Sequence, residues 1–298
     1  MSGDDPRDLG VAPAGAAGGA AIDAARAPTR ALAARRGLKV EDYSDKVVVV
    51  TGSAGGIGSA LSEAFAQAGA RLGLCDLRDA AATVECCGSA EVYTRVVDVG
   101  VEEQVAGFCQ GVQETFGAID ILVNTVGIVD CPGDVEGLST ALWERALKVN
   151  LTAAFLMAKY AVPHMKARGG AILNIASVSG LANQEQAMVY SVSKAGLLSL
   201  TRSEAIDLAR YKIRANAISP GSVDTPLLHE AVKEAGELYG RSSEDQWQVW
   251  EEQYPTRRFT QPAELAELAL FLCSERAGNI TGANFTIDGG LTALLPER

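Results

Sequence analysis

An open α/β sheet of seven mostly parallel strands, doubly wound with helices on both faces, is predicted by three observations. Short β-branched and aliphatic runs alternate strictly with longer helical patterns, the mark of successive βαβ units with right-handed crossovers. The first run, residues 47–50, is four consecutive valines, as expected of a strand covered on both faces. A glycine-rich turn follows it directly and opens a helix.

The elements follow in order. After the strand at 47–50 comes a helical pattern over 59–68, then a strand at 71–75 and a third at 92–97. A helix over 102–116 leads to a strand at 119–123, and a long helix over 142–168 to a fifth strand at 171–175. A helix over 190–210 precedes the sixth strand at 213–218, and one over 262–273 precedes the last at 284–287. Strands of four to six residues between helices of ten or more are the lengths that separate the two element types.

Composition sets the outer bounds. The chain has 298 residues, 48% of them hydrophobic and 21% charged, enough for one large domain or two small ones. Its net charge of −11 argues against a nucleic-acid partner. No apolar run reaches the length of a membrane-spanning helix, and the first 30 residues lack the basic start and apolar block of a secretory signal, so a cytoplasmic location is expected. Six cysteines occur without a C-x-x-C pair, which points to reduced thiols and to no disulfide framework or zinc site. With only His164 and His229 as histidines, no metal site and no Ser-His-Asp triad is expected.

Residues 1–36 hold 12 Ala and 5 Gly with few large apolar side chains, too little apolar area to offset chain entropy. Residues 1–43 are therefore expected to be a disordered tail. Six acidic and six basic residues make it neutral, so the whole net charge belongs to residues 44–298. Four arginines between Arg26 and Arg36 raise a targeting reading, which Asp4, Asp5, Asp8 and Asp23 dilute. The remaining 255 residues have the size of one doubly wound, Rossmann-type domain.

The glycine-rich turn reads Thr51-Gly52-Ser53-Ala54-Gly55-Gly56-Ile57-Gly58. Gly52, Gly56 and Gly58 permit a tight turn and close backbone approach to a pyrophosphate, which the following helix N-terminus attracts; Ser53 and Ile57 belong to the same turn. Asp76 closes the second strand, where a carboxylate accepts the ribose hydroxyls of adenosine and repels a 2′-phosphate. NAD is thus expected in preference to NADP, with Arg78 pulling the other way. Asp98 and Val99 follow the third strand, placed to meet adenine through a side chain and a backbone; a helix cap before Glu102 is the alternative for Asp98.

Tyr190 and Lys194 are spaced i, i+4 and share a helix face. Seven Tyr and eight Lys in 298 residues produce about 0.2 such pairs by chance, so the spacing needs its surroundings. Lowering a phenol from about 10 to about 7 takes about 4 kcal/mol, which neighbouring cations can supply. The surroundings are Asn124-Thr125-Val126-Gly127, Asn150 within Lys-Val-Asn-Leu, Ser177 thirteen residues before Tyr190, and Pro220-Gly221.

In this order, from about Lys46 to Leu291, the motifs resemble the short-chain dehydrogenase/reductase family. The resemblance implies Tyr190 as general acid/base, Lys194 lowering its pKa and holding the nicotinamide ribose, and Ser177 donating to the substrate oxygen. It implies that Asn150 bends its helix around a water, and that Asn124, Gly127, Pro220, Gly221, Val223 and Thr225 line the cofactor. It further implies a mobile substrate lid over residues 226–258 and a homotetramer, with a dimer as alternative. One departure is Thr125-Val126, where the family usually has Asn-Ala; the turn should survive while Val126 crowds the ribose edge.

Leu227, Leu228, Tyr239, Trp247, Trp250 and Tyr254 in the lid suggest a small, mainly apolar substrate, or a helical pair packed on its own body. Glu185, Gln186 and Met188 fall beside the substrate, and both histidines read as surface residues. The expected activity is hydride transfer between NAD and a secondary alcohol or ketone. Enoyl reduction, which normally uses a wider Tyr-to-Lys spacing, is disfavoured. A non-catalytic dinucleotide-binding regulator of the same fold is the alternative from another class.

Overall fold

The computed structural model describes residues 41–295. The segment expected as a tail lies outside these residues except for its last three. Of those, Tyr43 belongs to the core: it is buried, meets Phe65 edge-on at 5.1 Å and donates its hydroxyl to the Leu270 carbonyl.

Seven strands form one sheet: β1 (Val47–Thr51), β2 (Arg71–Asp76), β3 (Val92–Val96), β4 (Ile121–Asn124), β5 (Gly170–Ile175), β6 (Ile213–Pro220) and β7 (Asn284–Ile287). Their spatial order is β3-β2-β1-β4-β5-β6-β7, and every adjacent pair is parallel. The winding reverses between β1 and β4, which opens a crevice at the carboxyl ends of those strands.

The helices are α1 (Gly56–Gln67), α2 (Ala81–Cys86), α3 (Glu102–Phe116), α4 (Thr140–Leu147), α5 (Ala153–Met165), α6 (Met188–Leu208), α7 (Pro226–Tyr239), α8 (Ser243–Glu251) and α9 (Pro262–Cys273). Side chains of a strand alternate between faces, so the valines of β1 serve two cores. Val48 and Val50 pack with Leu61 and Phe65 of α1 and Leu265 and Ala269 of α9, whereas Val47 and Val49 pack with Phe108 and Val112 of α3 and Met157 and Ala161 of α5. At the sheet edge, β3 leaves Thr94, Arg95 and Val96 exposed; a charge there discourages edge-to-edge pairing.

The helix expected over 142–168 is broken. Between α4 and α5 the residues Lys148–Thr152 form a π-helical turn, and Asn150 at its centre is buried. One extra residue per turn shifts the helical register and redirects a side chain, a change that hydrophobic periodicity does not register. Residues 226–258 contain the helical pair α7 and α8, capped by Thr225 and Ser242. The short α2 was not anticipated.

Candidate active site

The glycine turn is shaped by close approach. Gly52 has a φ of +64°, open to glycine at little cost. A Cβ on Gly58 would lie 2.1 Å from the Gly52 carbonyl oxygen, and one on Gly56 would lie 2.7 Å from Thr225 Cγ2. Gly55 caps α1 without a side-chain hydrogen bond, which leaves the N-terminal N–H groups to meet an anion. Ile57 packs against the first core. Ser53 is fully buried; its amide donates to the Cys75 carbonyl at 3.2 Å and its carbonyl accepts from Thr83 Oγ1 at 2.8 Å, so it braces the turn from inside.

Asp76 sits beside this turn. Its Oδ2 accepts from the Ala54 amide at 3.0 Å and its Oδ1 from the Arg78 amide at 2.9 Å. Each oxygen retains acceptor capacity for a hydroxyl. The Arg78 guanidinium folds back to donate to the Ala54 carbonyl at 3.1 Å. Asp98 closes a turn by accepting from the Gly100 amide at 2.8 Å, and Val99 behind it is buried. The cap of α3 is Val101, so Asp98 is not the helix cap.

At the carboxyl ends of the strands, the π-helical turn, α6 and the segments after β4 and β5 bring the remaining residues together. Asn150 clamps residue Ile128 at two points: Oδ1 accepts from its amide at 2.7 Å and Nδ2 donates to its carbonyl at 3.0 Å. Nδ2 also donates to Ser193 Oγ, which donates to the Tyr190 carbonyl. Lys194 is buried with Nζ 3.0 Å from the Ile175 carbonyl and 5.8 Å from the centre of the Tyr190 ring. Gly127 lies against this ammonium: a Cβ there would be 3.1 Å from Nζ, close enough to push the Lys194 side chain by a few tenths of an ångström. Ser177 Oγ accepts from the Ser179 amide at 3.1 Å, and Ser177 stands close enough to the Tyr190 phenol to draw its pKa down.

Residues 52–292 match a family model described as "Enoyl-(Acyl carrier protein) reductase". Cis-4-hydroxycyclohexanecarboxylate dehydrogenase of Sinomonas cyclohexanicum is 36% identical over 259 residues, covering 85% of this chain and 99% of that one. The chain belongs to the short-chain dehydrogenase/reductase family. Another relative is the NAD-dependent glycerol dehydrogenase of Listeria innocua, 36% identical over 84% of this chain and 95% of that one. Among solved structures, L-sorbose reductase from Gluconobacter frateurii, complexed with NADPH and L-sorbose, superposes with a TM-score of 0.81 at 33% identity, covering 86% of this chain and all of that one. These relatives are dehydrogenases and reductases of hydroxy and keto compounds, and this chain is an oxidoreductase of that family.

Electrostatics in this short-chain dehydrogenase/reductase follow from burial. Desolvation raises the Tyr190 phenol, the Ser177 hydrogen bond lowers it in part, and the neighbouring Cys131 thiol raises it. Burial also lowers the Lys194 ammonium to about 8. All six cysteines are free, and burial pushes Cys109 and Cys273 up to about 12. Among the described residues no group of His, Cys, Asp and Glu could hold a metal, and no helix is long and apolar enough to cross a membrane.

The loop after β6 has an anchor that sequence reasoning missed. The Tyr254 hydroxyl donates to Ser222 Oγ at 2.8 Å and accepts from the Ser222 amide at 2.9 Å, while its ring lies 2.9 Å from where a Gly221 Cβ would be. Pro220 ends β6, Val223 pairs with Thr260, and Thr225 caps α7 against Gly56. Aromatic type announces burial but not a partner. Trp247 and Tyr254 both pack edge-on against buried Phe259, at 4.7 and 5.4 Å, and so hold the helical pair to the body. Leu227 and Tyr239 are exposed. His229 is exposed too, but its Nε2 lies 2.8 Å from Asp224 Oδ1 and its ring faces Trp247.

Beside Tyr190, the loops at 131–133 and 185–187 are joined. The Gly133 amide donates to the Gln186 carbonyl at 2.9 Å, and Gln186 adopts a left-handed φ of +59°, a conformation that costs a non-glycine residue about 1 kcal/mol. Cys131 and Val189 pack together under this junction, with Tyr190 against them.

Proposed function

We propose that this chain is an NAD-dependent alcohol dehydrogenase and ketone reductase acting on a secondary carbinol or carbonyl of a small, mainly apolar molecule. One observation carries the reading: Lys194 lies buried one helical turn from Tyr190, its Nζ 5.8 Å from the centre of the phenol ring and anchored on the Ile175 carbonyl two residues before Ser177. Bound NAD supplies the hydride acceptor. Tyr190 takes the carbinol proton in oxidation and returns it in reduction. The Ser179 amide donates to Ser177 Oγ and so orients a hydroxyl whose proton serves the Tyr190 phenolate or the substrate oxygen. Lys194 holds the ribose and stabilises the phenolate, and Asn150 fixes the Ile128 loop behind both. The Tyr-to-Lys spacing of four supports carbonyl rather than enoyl chemistry despite the description of the family model.

The turn fits a dinucleotide, because glycine at 56 and 58 lets it close against Thr225 and the Gly52 carbonyl and the α1 terminus has no side-chain cap to compete with an anion. Gly52, Ser53, Gly56, Ile57 and Gly58 would surround the pyrophosphate, Asp76 the adenosine ribose, and Asp98 and Val99 the adenine. Asn124, Gly127, Pro220, Gly221, Val223 and Thr225 would line the nicotinamide half. Residues 226–258 act as the lid. Exposed Phe155, Val192 and Ile206 on α5 and α6 support a homotetramer, or a dimer, through those helices. An acidic chain without a membrane-crossing helix among its described residues fits a cytoplasmic enzyme.

A panel of cyclic and acyclic secondary alcohols, followed by NADH absorbance, tests the activity; no turnover of any member would overturn it. Asp76→Ala is expected to shift the NAD-to-NADP ratio of kcat/KM at least about tenfold toward NADP, since it removes a charge-assisted acceptor from the ribose hydroxyls and a repulsion from the phosphate. An unchanged ratio removes Asp76 from the ribose site.

A further inference from the structure

The face of α6 that carries Tyr190 and Lys194 does not end at the active site. At about 100° per residue, positions 190, 194, 201 and 204 fall on one side of the helix. Thr201 and Glu204 are both buried on it. Asn174 Nδ2 donates to Thr201 Oγ1 and to Glu204 Oε2, each at 2.9 Å, and Asn174 Oδ1 accepts from Asn124 Nδ2 at 2.8 Å. Asn124 and Asn174 are register partners across β4 and β5. One residue beyond Asn174 is the Ile175 carbonyl that receives Lys194 Nζ, and Ser177 follows two residues later. Beyond Asn124 comes the turn with Gly127.

We infer that Glu204 is a positioning residue: through Asn174 and Asn124 it sets the strand ends that carry the Lys194 acceptor, Ser177 and Gly127, and its ionisation loosens them. The inference rests on the NAD-dependent alcohol dehydrogenase reading above. Geometry supplies the coupling, because one amide group, that of Asn174, ties the helix of Tyr190 to both strands. It also supplies the sensitivity: Glu204 Oε1 and Asn124 Oδ1 are buried without partners, and an unpartnered charge costs far more there than an unpartnered neutral oxygen.

Burial raises the Glu204 carboxyl to about 7, opposed by the Asn174 hydrogen bond, with no charge among the causes. Of the elements packed on this stretch, β5 has no titratable side chain, and β6 has only Arg214, whose guanidinium donates to the carbonyls of Leu272, Ser274 and Ile280. Lys148 of the π-helical turn is exposed, as are Arg202 and Asp207 on α6 itself; Lys194 lies ten residues away. Because the folded value is above the unfolded one, the folded state loses stability as pH rises from about 4.5 to about 7 and then holds level.

The test compares wild type, Glu204→Gln and Glu204→Leu by kcat on an alcohol from the panel, NADH affinity by fluorescence, and melting temperature. Glutamine keeps an acceptor for Asn174 and cannot ionise. The kcat of Glu204→Gln relative to wild type is expected to be near one at about pH 5.5 and to rise about threefold or more by about pH 9, with KM for the alcohol unchanged. Its melting temperature should gain at least about 4 °C on wild type over the same range. Glu204→Leu, which removes the acceptor, should lower kcat at both pH values. A kcat ratio flat in pH, with normal NADH binding and turnover, overturns the role of Glu204 even if the melting gap widens. Absence of NADH binding or turnover in wild type overturns the NAD-dependent alcohol dehydrogenase reading first, and this inference with it.

Discussion

Tyr190→Phe is expected to lower kcat by about 1000-fold or more while leaving the NAD dissociation constant within about twofold of wild type. The substitution deletes one oxygen and keeps the ring that packs with Cys131, Val189 and the side chains of α4. Without that oxygen the carbinol proton has no acceptor at the site, and Ser177 cannot replace it because an alcohol is a far weaker base. Isothermal titration with NAD and stopped-flow turnover separate the two effects. Turnover at the wild-type rate would remove Tyr190 from the chemistry; parallel loss of cofactor binding would make its role structural.

Lys194→Met produces the second large effect, in which activity and stability move in opposite directions. The buried ammonium titrates at about 8 instead of its ordinary 10.5. Below pH 8 the folded protein therefore carries a burial penalty of about 3 kcal/mol, which vanishes as pH climbs from 8 to 10.5. Methionine removes the charge at similar length but leaves the Ile175 carbonyl without its donor, a loss of about 1 kcal/mol or more. The net expectation at pH 7 is a gain of about 1 to 2 kcal/mol, or about 4 °C in melting temperature, with kcat down about 100-fold or more. The gain should shrink toward pH 10. A melting temperature at pH 7 equal to or below that of wild type would show that the lysine is not held at a cost.

Much of the fold was legible because its signals are local. The four valines of β1 and the glycines after them depend on neighbours within a few residues, and so does each βαβ repeat. The motif residues around Ser177 and Tyr190 could be placed in order through their resemblance to a family, and the structure gathers them at one edge of the sheet. Other features left weaker traces. The π-helical turn at Asn150 adds one residue to a pattern that reads as continuous helix. Tyr254 looks like a lid aromatic until its hydroxyl is seen on Ser222. Thr201 and Glu204 share a face with Tyr190, yet spacing alone does not tell a buried polar ladder from a solvated one.

By itself, then, the sequence determined the parallel α/β architecture, the glycine cradle and the chemical types available at the site. Only the tertiary structure decided which of those groups meet and in what protonation state. The physical reason is that turn chemistry and periodicity act over a few residues. Desolvation and hydrogen-bond partnership depend on segments far apart in the chain, as when Asn174 reaches Asn124 across fifty residues and Glu204 across thirty. Lys194 and Glu204 are ordinary ionisable residues in the sequence, and burial in the fold moves the one down and the other up toward neutrality.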